Sequence, residues 1–176
     1  MSTRFKTPFV RVAFLFSLLV PMSATAQAET LVPFEIKDQH DRVHRDTDFS
    51  GKVVILTGSD GEGSQFNGLW VSAIREALEA DPRFETVTFL DVADVRGVPF
   101  FLKGTVKGRF PSAEEDWVLM DWGGFFAKTY GFEPKSTNMA VFGEDGRLAC
   151  RAHGREVDPE VLDRVVTKIR EVLSAG

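Results

Sequence analysis

The chain is almost without cysteine. Cys150 is the only thiol in 176 residues, so the chain alone cannot close a disulfide. Tyrosine is equally scarce, one residue against sixteen phenylalanines, a balance that favours buried aromatic packing. Basic charge is in deficit: 21 Lys and Arg face 26 Asp and Glu, for a formal net charge of −5. That excludes the positive footprint of nonspecific nucleic-acid binding. No apolar run reaches the ~20 residues that a membrane-spanning helix needs. Histidine is limited to His40, His44 and His153. The first two are four apart in a turn and a strand, which does not put both rings on one helix face for a metal. Only if the chain brought all three rings together in space would a metal site form, and no metal or cofactor is expected.

What is present begins with an export signal. Arg4, Lys6 and Arg11 form a charged region, Val12 to Val20 an apolar one, and Ala26-Gln27-Ala28 a small-residue cleavage pattern. The expected organisation is a signal peptide over 1–28 and one domain over 29–176, placed in the periplasm with no membrane span left after cleavage. An uncleaved anchor is the alternative, and the short apolar run argues against it. The segment holds three basic and no acidic residues, so its removal leaves 18 basic against 26 acidic residues and takes the charge from −5 to −8.

The remainder is organised around Gly51 to Ala80. Lys52 to Thr57 is an apolar, β-branched run, the pattern of a strand covered on both faces. Gly58 to Ser64 reads as a turn that ends it. Phe66, Leu69, Trp70, Ala73, Ile74, Ala77 and Leu78 then recur at helical spacing as one apolar stripe. Before this unit, Leu31 to His44 reads as a hairpin, with Phe34, Ile36 and Val43 at its apolar positions and a turn at Asp38-Gln39-His40-Asp41. After it, Asp81-Pro82 stops the helix, and Thr86 to Val92 reads as a strand parallel to the first. Val95 to Phe110 reads as a helix entered at Pro99. It either covers a sheet edge or presents a basic, aromatic surface to a partner or a membrane. Trp117 to Asp121 is a further strand and Phe125 to Tyr130 a helical turn closed by Gly131. Asn138 to Phe142 and Leu148 to Ala152 form a hairpin whose turn takes its positive φ angles from Asp145-Gly146. Asp158-Pro159 opens a last helix with Val161, Leu162, Val165, Val166, Ile169, Val172 and Leu173 on its apolar side. Trp70, Trp117 and Trp122 read as core or sheet-end packing.

Three patterns carry a resemblance: Phe34-Glu35-Ile36-Lys37-Asp38 with Asp48-Phe49-Ser50-Gly51-Lys52 before the first long helix, Val141 to Leu148 at the hairpin, and Gly154 ahead of the last helix. Their order resembles the extended thioredoxin-like fold of peroxiredoxins and TlpA-type periplasmic thioredoxins. Asp91 through Phe100 and Trp117 to Asp121 are most similar to the exported YtfJ family. The resemblance implies a three-layer α/β/α domain with a central mixed sheet and an N-terminal β-hairpin extension. It also implies redox cysteines at Gly63 and Phe66, where the chain reads Gly63-Ser64-Gln65-Phe66 without a thiol, and a cis proline where Thr137 stands.

Candidate binding residues are Ser59, Asp60, Glu62 and Ser64 in the turn, with Thr137 opposite. They either bind a cation or a peptide, or serve the helix entrance by accepting its free N–H groups. Asp60 and Glu62 would repel a phosphate, and the lysine of a phosphate-binding loop is missing. Cys150 is placed on one strand face with Leu148 and Ala152, a small buried residue by that pattern. His153 points to the other face and is a poor base for it. Two functions compete. One is a periplasmic binding or accessory module without dithiol chemistry, its partner an unidentified periplasmic protein; the other is a thiol oxidoreductase that uses Cys150 alone. A third, a hydrolase or metal protein, would rest on Asp60, Glu62 and the histidines.

Overall fold

The computed structural model describes residues 29–175. The expected export signal at 1–28 lies outside them. A two-stranded antiparallel ribbon, β1 (Glu35–Lys37) and β2 (Val43–Arg45), precedes a five-stranded sheet of β3 (Val54–Ser59), β4 (Thr88–Asp94), β5 (Leu119–Asp121), β6 (Thr137–Phe142) and β7 (Leu148–Gly154). The sheet order is β5-β4-β3-β6-β7, with β4 parallel to β3, β5 parallel to β4, and β6 and β7 antiparallel additions. The helices are α1 (Ser64–Leu78), α2 (Lys103–Lys107), α3 (Phe125–Tyr130) and α4 (Pro159–Ala175).

The alternation of side chains across the sheet divides the core in two. On one face Ile55, Met139 and Val141 pack beneath Trp70, Ile74 and Leu78 of α1 and Val165, Val166 and Ile169 of α4. On the other, Val54, Leu56, Leu90, Val92 and Phe142 meet Phe126 and Tyr130 of α3, with Phe34 and Phe49 from the N-terminal extension. The result is the expected three-layer α/β/α arrangement with its hairpin. Asp158 caps α4 by accepting the N–H groups of Glu160 and Val161 at 2.9 and 3.0 Å. Gly131 ends α3 at φ 65°.

Several local expectations change. The first sheet strand does not stop at Thr57: Gly58 and Ser59 continue it, because Gly58 pairs with both Val92 and Asn138, and Ser59 with Ala93. Leu69, placed on the buried stripe of α1, is 56% exposed. The α1 stripe is wider than the sheet surface that receives it. In β2 Val43 faces solvent, while His44 turns inward and stacks on Trp117 with centroids 4.1 Å apart. At the β6–β7 turn only Gly146 has positive φ, at 73°. Between Val95 and Phe110 only Lys103–Lys107 is α-helical. Phe100–Leu102 form a 3₁₀ turn that stays exposed, so this segment is not a continuous cover for a sheet edge. A β-bulge moves Leu148 to the face opposite Cys150, since Phe142 pairs with Leu148 and Val141 with Cys150, leaving Ala149 as the extra residue.

The hairpin extension is held by buried polar groups. Asp38, fully buried, accepts hydrogen bonds from the N–H groups of His40 and Arg42, from Arg42 Nε at 2.8 Å and from His44 Nε2 at 2.9 Å. Gln39 donates to Pro111 O and Asp116 O and accepts from Val118 N–H, fastening the 111–118 loop. Burial raises the Asp38 carboxyl, but the hydrogen bonds from His44, Arg42 and His40 outweigh it and hold its pKa at about 2, against an ordinary 3.8. A carboxylate depressed in the folded state stabilises fully above its unfolded pKa and loses that contribution as the pH falls through the folded one. Asp38→Asn is therefore expected to cost about 2 kcal/mol at pH 7 and far less near pH 2. Urea titrations of both proteins at the two pH values measure this, and an equal loss at both would show that charge plays no part.

Candidate functional site

The carboxyl end of β3, the entrance to α1 and the start of β6 meet at one corner of the sheet. Gly58 lies against the Phe132 ring, where a Cβ would come within 2.3 Å of a ring carbon. Ser59 and Thr137, both buried, are joined by Asn67 of α1. Its Nδ2 donates to Ser59 Oγ at 2.9 Å and its Oδ1 accepts from Thr137 Oγ1 at 2.8 Å. Asp60 closes the loop from the other side. Oδ1 accepts the Gly63 N–H at 2.7 Å and Oδ2 the Lys135 N–H at 2.8 Å, and Lys135 adopts φ 60°. Its own carbonyl accepts the Ser64 N–H at 2.9 Å, so Asp60 serves the free donors of the helix entrance.

The outer residues are exposed. Glu62 Oε2 lies 3.1 Å from Lys135 Nζ, and the Ser64 hydroxyl turns back to donate to Gly61 O at 3.0 Å. The structure thus brings Ser59 and Thr137 together, and Asp60 and Glu62 onto the 135 segment, but leaves Ser64 facing only its own loop. Every described peptide bond is trans, that between Ser136 and Thr137 included. Asn138 completes the corner: Nδ2 donates to Gly58 O, Glu133 O and Ser136 O, and Oδ1 accepts the Glu133 N–H at 2.7 Å.

Sequence reasoning missed Asn67, Lys135 and Asn138. The one available signal was a weak helix former inside α1, an asparagine whose amide must find partners. It also missed Asp91, which lies beside Thr57 on the same sheet face and accepts the Thr57 hydroxyl. Burial pushes the Asp91 carboxyl up, against the Thr57 hydrogen bond and the charge of Arg75.

Cys150 is remote from this corner. It pairs with Val141, which pairs with Ile55, so the thiol lies two strands away from β3 and four residues short of Ser59. It is half-buried against the α1–α4 core. Burial pushes its thiol up to about 11, despite the opposing charges of Arg164 and Lys168. His153 is exposed, and His44 is engaged by Asp38. Among the described residues no three His, Cys, Asp or Glu side chains converge as a metal site requires, and no helix is long and apolar enough to cross a membrane. A cleft of about 850 Å³ lies away from the corner, between β1, α2 and the β5–α3 turn.

No protein-family model matches the chain, and no curated protein matches it in sequence. Solved structures do match in fold. The exposed lipoprotein thioredoxin Etrx1 of Streptococcus pneumoniae superposes with a TM-score of 0.55 at 19% identity, over 78% of this chain and 99% of its own. BsSco, of the Sco family of cytochrome c oxidase assembly proteins, gives 0.59 at 12%, over 84% and 95%. A candidate thiol:disulfide interchange protein DsbE from Chlorobium tepidum gives 0.58 at 16%, over 85% and 99%. The fold is thioredoxin-like.

Two outcomes follow from this geometry. A Cβ at Gly63 would lie 2.5 Å from the Ser136 carbonyl oxygen and 2.7 Å from its nitrogen, both backbone, while one at Gly61 meets nothing within 4 Å. Gly63→Ala is expected to cost about 1–3 kcal/mol and Gly61→Ala within roughly 0.5 kcal/mol of nothing, as read by thermal unfolding. A thiol with a pKa of about 11 leaves roughly one molecule in a thousand ionised at pH 8. Cys150 is therefore expected to react slowly with a thiol reagent in the native protein and rapidly once denatured; fast native labelling would contradict the packing described.

Proposed function

We propose that the protein is an exported thioredoxin-like module that has given up dithiol chemistry and binds a partner protein in the periplasm. One observation carries this reading. At the start of α1, where a redoxin needs a thiolate stabilised by the helix N-terminus, Gly63 caps the helix and Ser64-Gln65-Phe66 form its first turn, with the exposed Ser64 hydroxyl donating back to Gly61 O, and the one thiol lies elsewhere. Ser59, Thr137 and Asp60 hold the shape of the corner, and Glu62 and Ser64 present its exposed surface. A corner stiffened in this way favours recognition, because little conformational freedom is lost when a partner docks.

The export signal expected at 1–28 supports placement of one mature domain, 29–176, outside the cytoplasm. The motif order supports kinship with YtfJ-like exported proteins over the other thioredoxin-like branches. The competing reading, an oxidoreductase using Cys150 alone, requires an exposed thiol of lowered pKa. Cys150 is half-buried and its pKa is raised.

Insulin-disulfide reduction and peroxide consumption, each run on the protein and on Cys150→Ser, test the proposal. Neither protein is expected to exceed the uncatalysed rate. Activity that disappears in Cys150→Ser would establish the one-cysteine enzyme and overturn the binding module.

A further inference from the structure

The segment from Val95 to Phe110 contains Arg96, Lys103, Lys107 and Arg109 and no acidic residue, in a chain whose net charge is −5. Its 3₁₀ turn carries Phe100 and Phe101, 82% and 70% exposed, followed by Leu102 at 41%. The two rings meet edge to face, 5.8 Å apart at 87°, and form a protruding knuckle. Two of the four cations are already neutralised, Arg96 by Asp94 at 2.6 Å and Lys107 by Asp41. Lys103, 4.7 Å above the Trp122 ring, and Arg109 make no ion pair among the described residues.

We infer that this knuckle docks on an anionic lipid surface, with Phe100, Phe101 and Leu102 entering the interface and Lys103 and Arg109 meeting lipid headgroups. The small apolar area and its charge together favour a lipid surface: the three apolar side chains offer at most roughly 500 Å², with the unpaired Lys103 next to them in the chain. Reversible attachment to a membrane needs only a few inserted apolar groups together with nearby cations. Charge agrees with this choice: an acidic protein is repelled by anionic lipid everywhere except where its surface is locally positive and uncompensated, and the knuckle is such a place.

The test uses the mature domain and phosphatidylcholine vesicles with or without phosphatidylglycerol. The chain used is 29–176, because the basic, apolar residues 1–28 would bind anionic vesicles by themselves and every described element of the fold lies after them. Phe100→Ser/Phe101→Ser, at sites too exposed to affect folding, is expected to weaken binding to the anionic vesicles about tenfold. Lys103→Gln and Arg109→Gln are each expected to weaken it roughly fivefold and to reduce its salt dependence. Phe100→Trp gives a readout local to the knuckle, and brominated lipid is expected to quench its emission beyond the quenching of the unsubstituted protein. Equal vesicle binding by Phe100→Ser/Phe101→Ser, or no added quenching in Phe100→Trp, overturns lipid docking. In that event, loss of a captured protein with the same variants would assign the knuckle to a protein partner.

Discussion

The structure depends on β3 having no free side. All six of its residues are buried, both edges are hydrogen-bonded, to β4 and to β6, and each face is covered by helix. A strand in that position must satisfy every backbone group through its neighbours, because no water reaches it. That requirement carries the ladder through Gly58 and Ser59, and it delivers the chain to the corner beside Thr137. Gly58 is tolerated there because the Phe132 ring occupies the space a side chain would fill.

At that corner, hydrogen bonds do the joining. Asn67 ties α1 to β3 and β6 at once, and Asp60 ties the loop to the 135 segment. Each such bond contributes about 0.5–1.5 kcal/mol net, but removing one partner would leave buried groups unpaired, which costs more. The arrangement is therefore cooperative: the polar groups under the helix entrance are held in place by one another. It fixes the surface shown by Glu62 and Ser64.

The same economy governs the edges. Tyr130, the single tyrosine, donates to Thr30 O and accepts the Val32 N–H, both at 2.9 Å, and so pins the N-terminal segment over α3. Asp38 and Gln39 pin the hairpin and the loop after α2. With these segments tied down by buried polar groups, the aromatic surface at Phe100 and Phe101 stands apart, because no described residue folds back to cover it.

Much of the fold was legible in the chain. The β-branched run at Val53 to Thr57, the helical spacing of Trp70, Ile74 and Leu78, the Asp158-Pro159 cap and the stripe of Val165, Val166 and Ile169 are local signals, each fixed by residues within a few positions of one another. Their order was enough for the thioredoxin-like arrangement. The single cysteine, read from composition alone, excluded an internal disulfide. What the sequence left open depends on partners far apart in the chain. The extension of β3 through Ser59 is decided by Ala93, the link from Asn67 by Thr137 and the posture of Asp60 by Lys135. The face of Leu148 is set by a bulge against Phe142 and Val141. The exposure of Phe101 is decided by what does not pack on it. Periodicity reports which residues share a face, but only the tertiary structure decides whether another element arrives to cover that face and which polar groups meet across it.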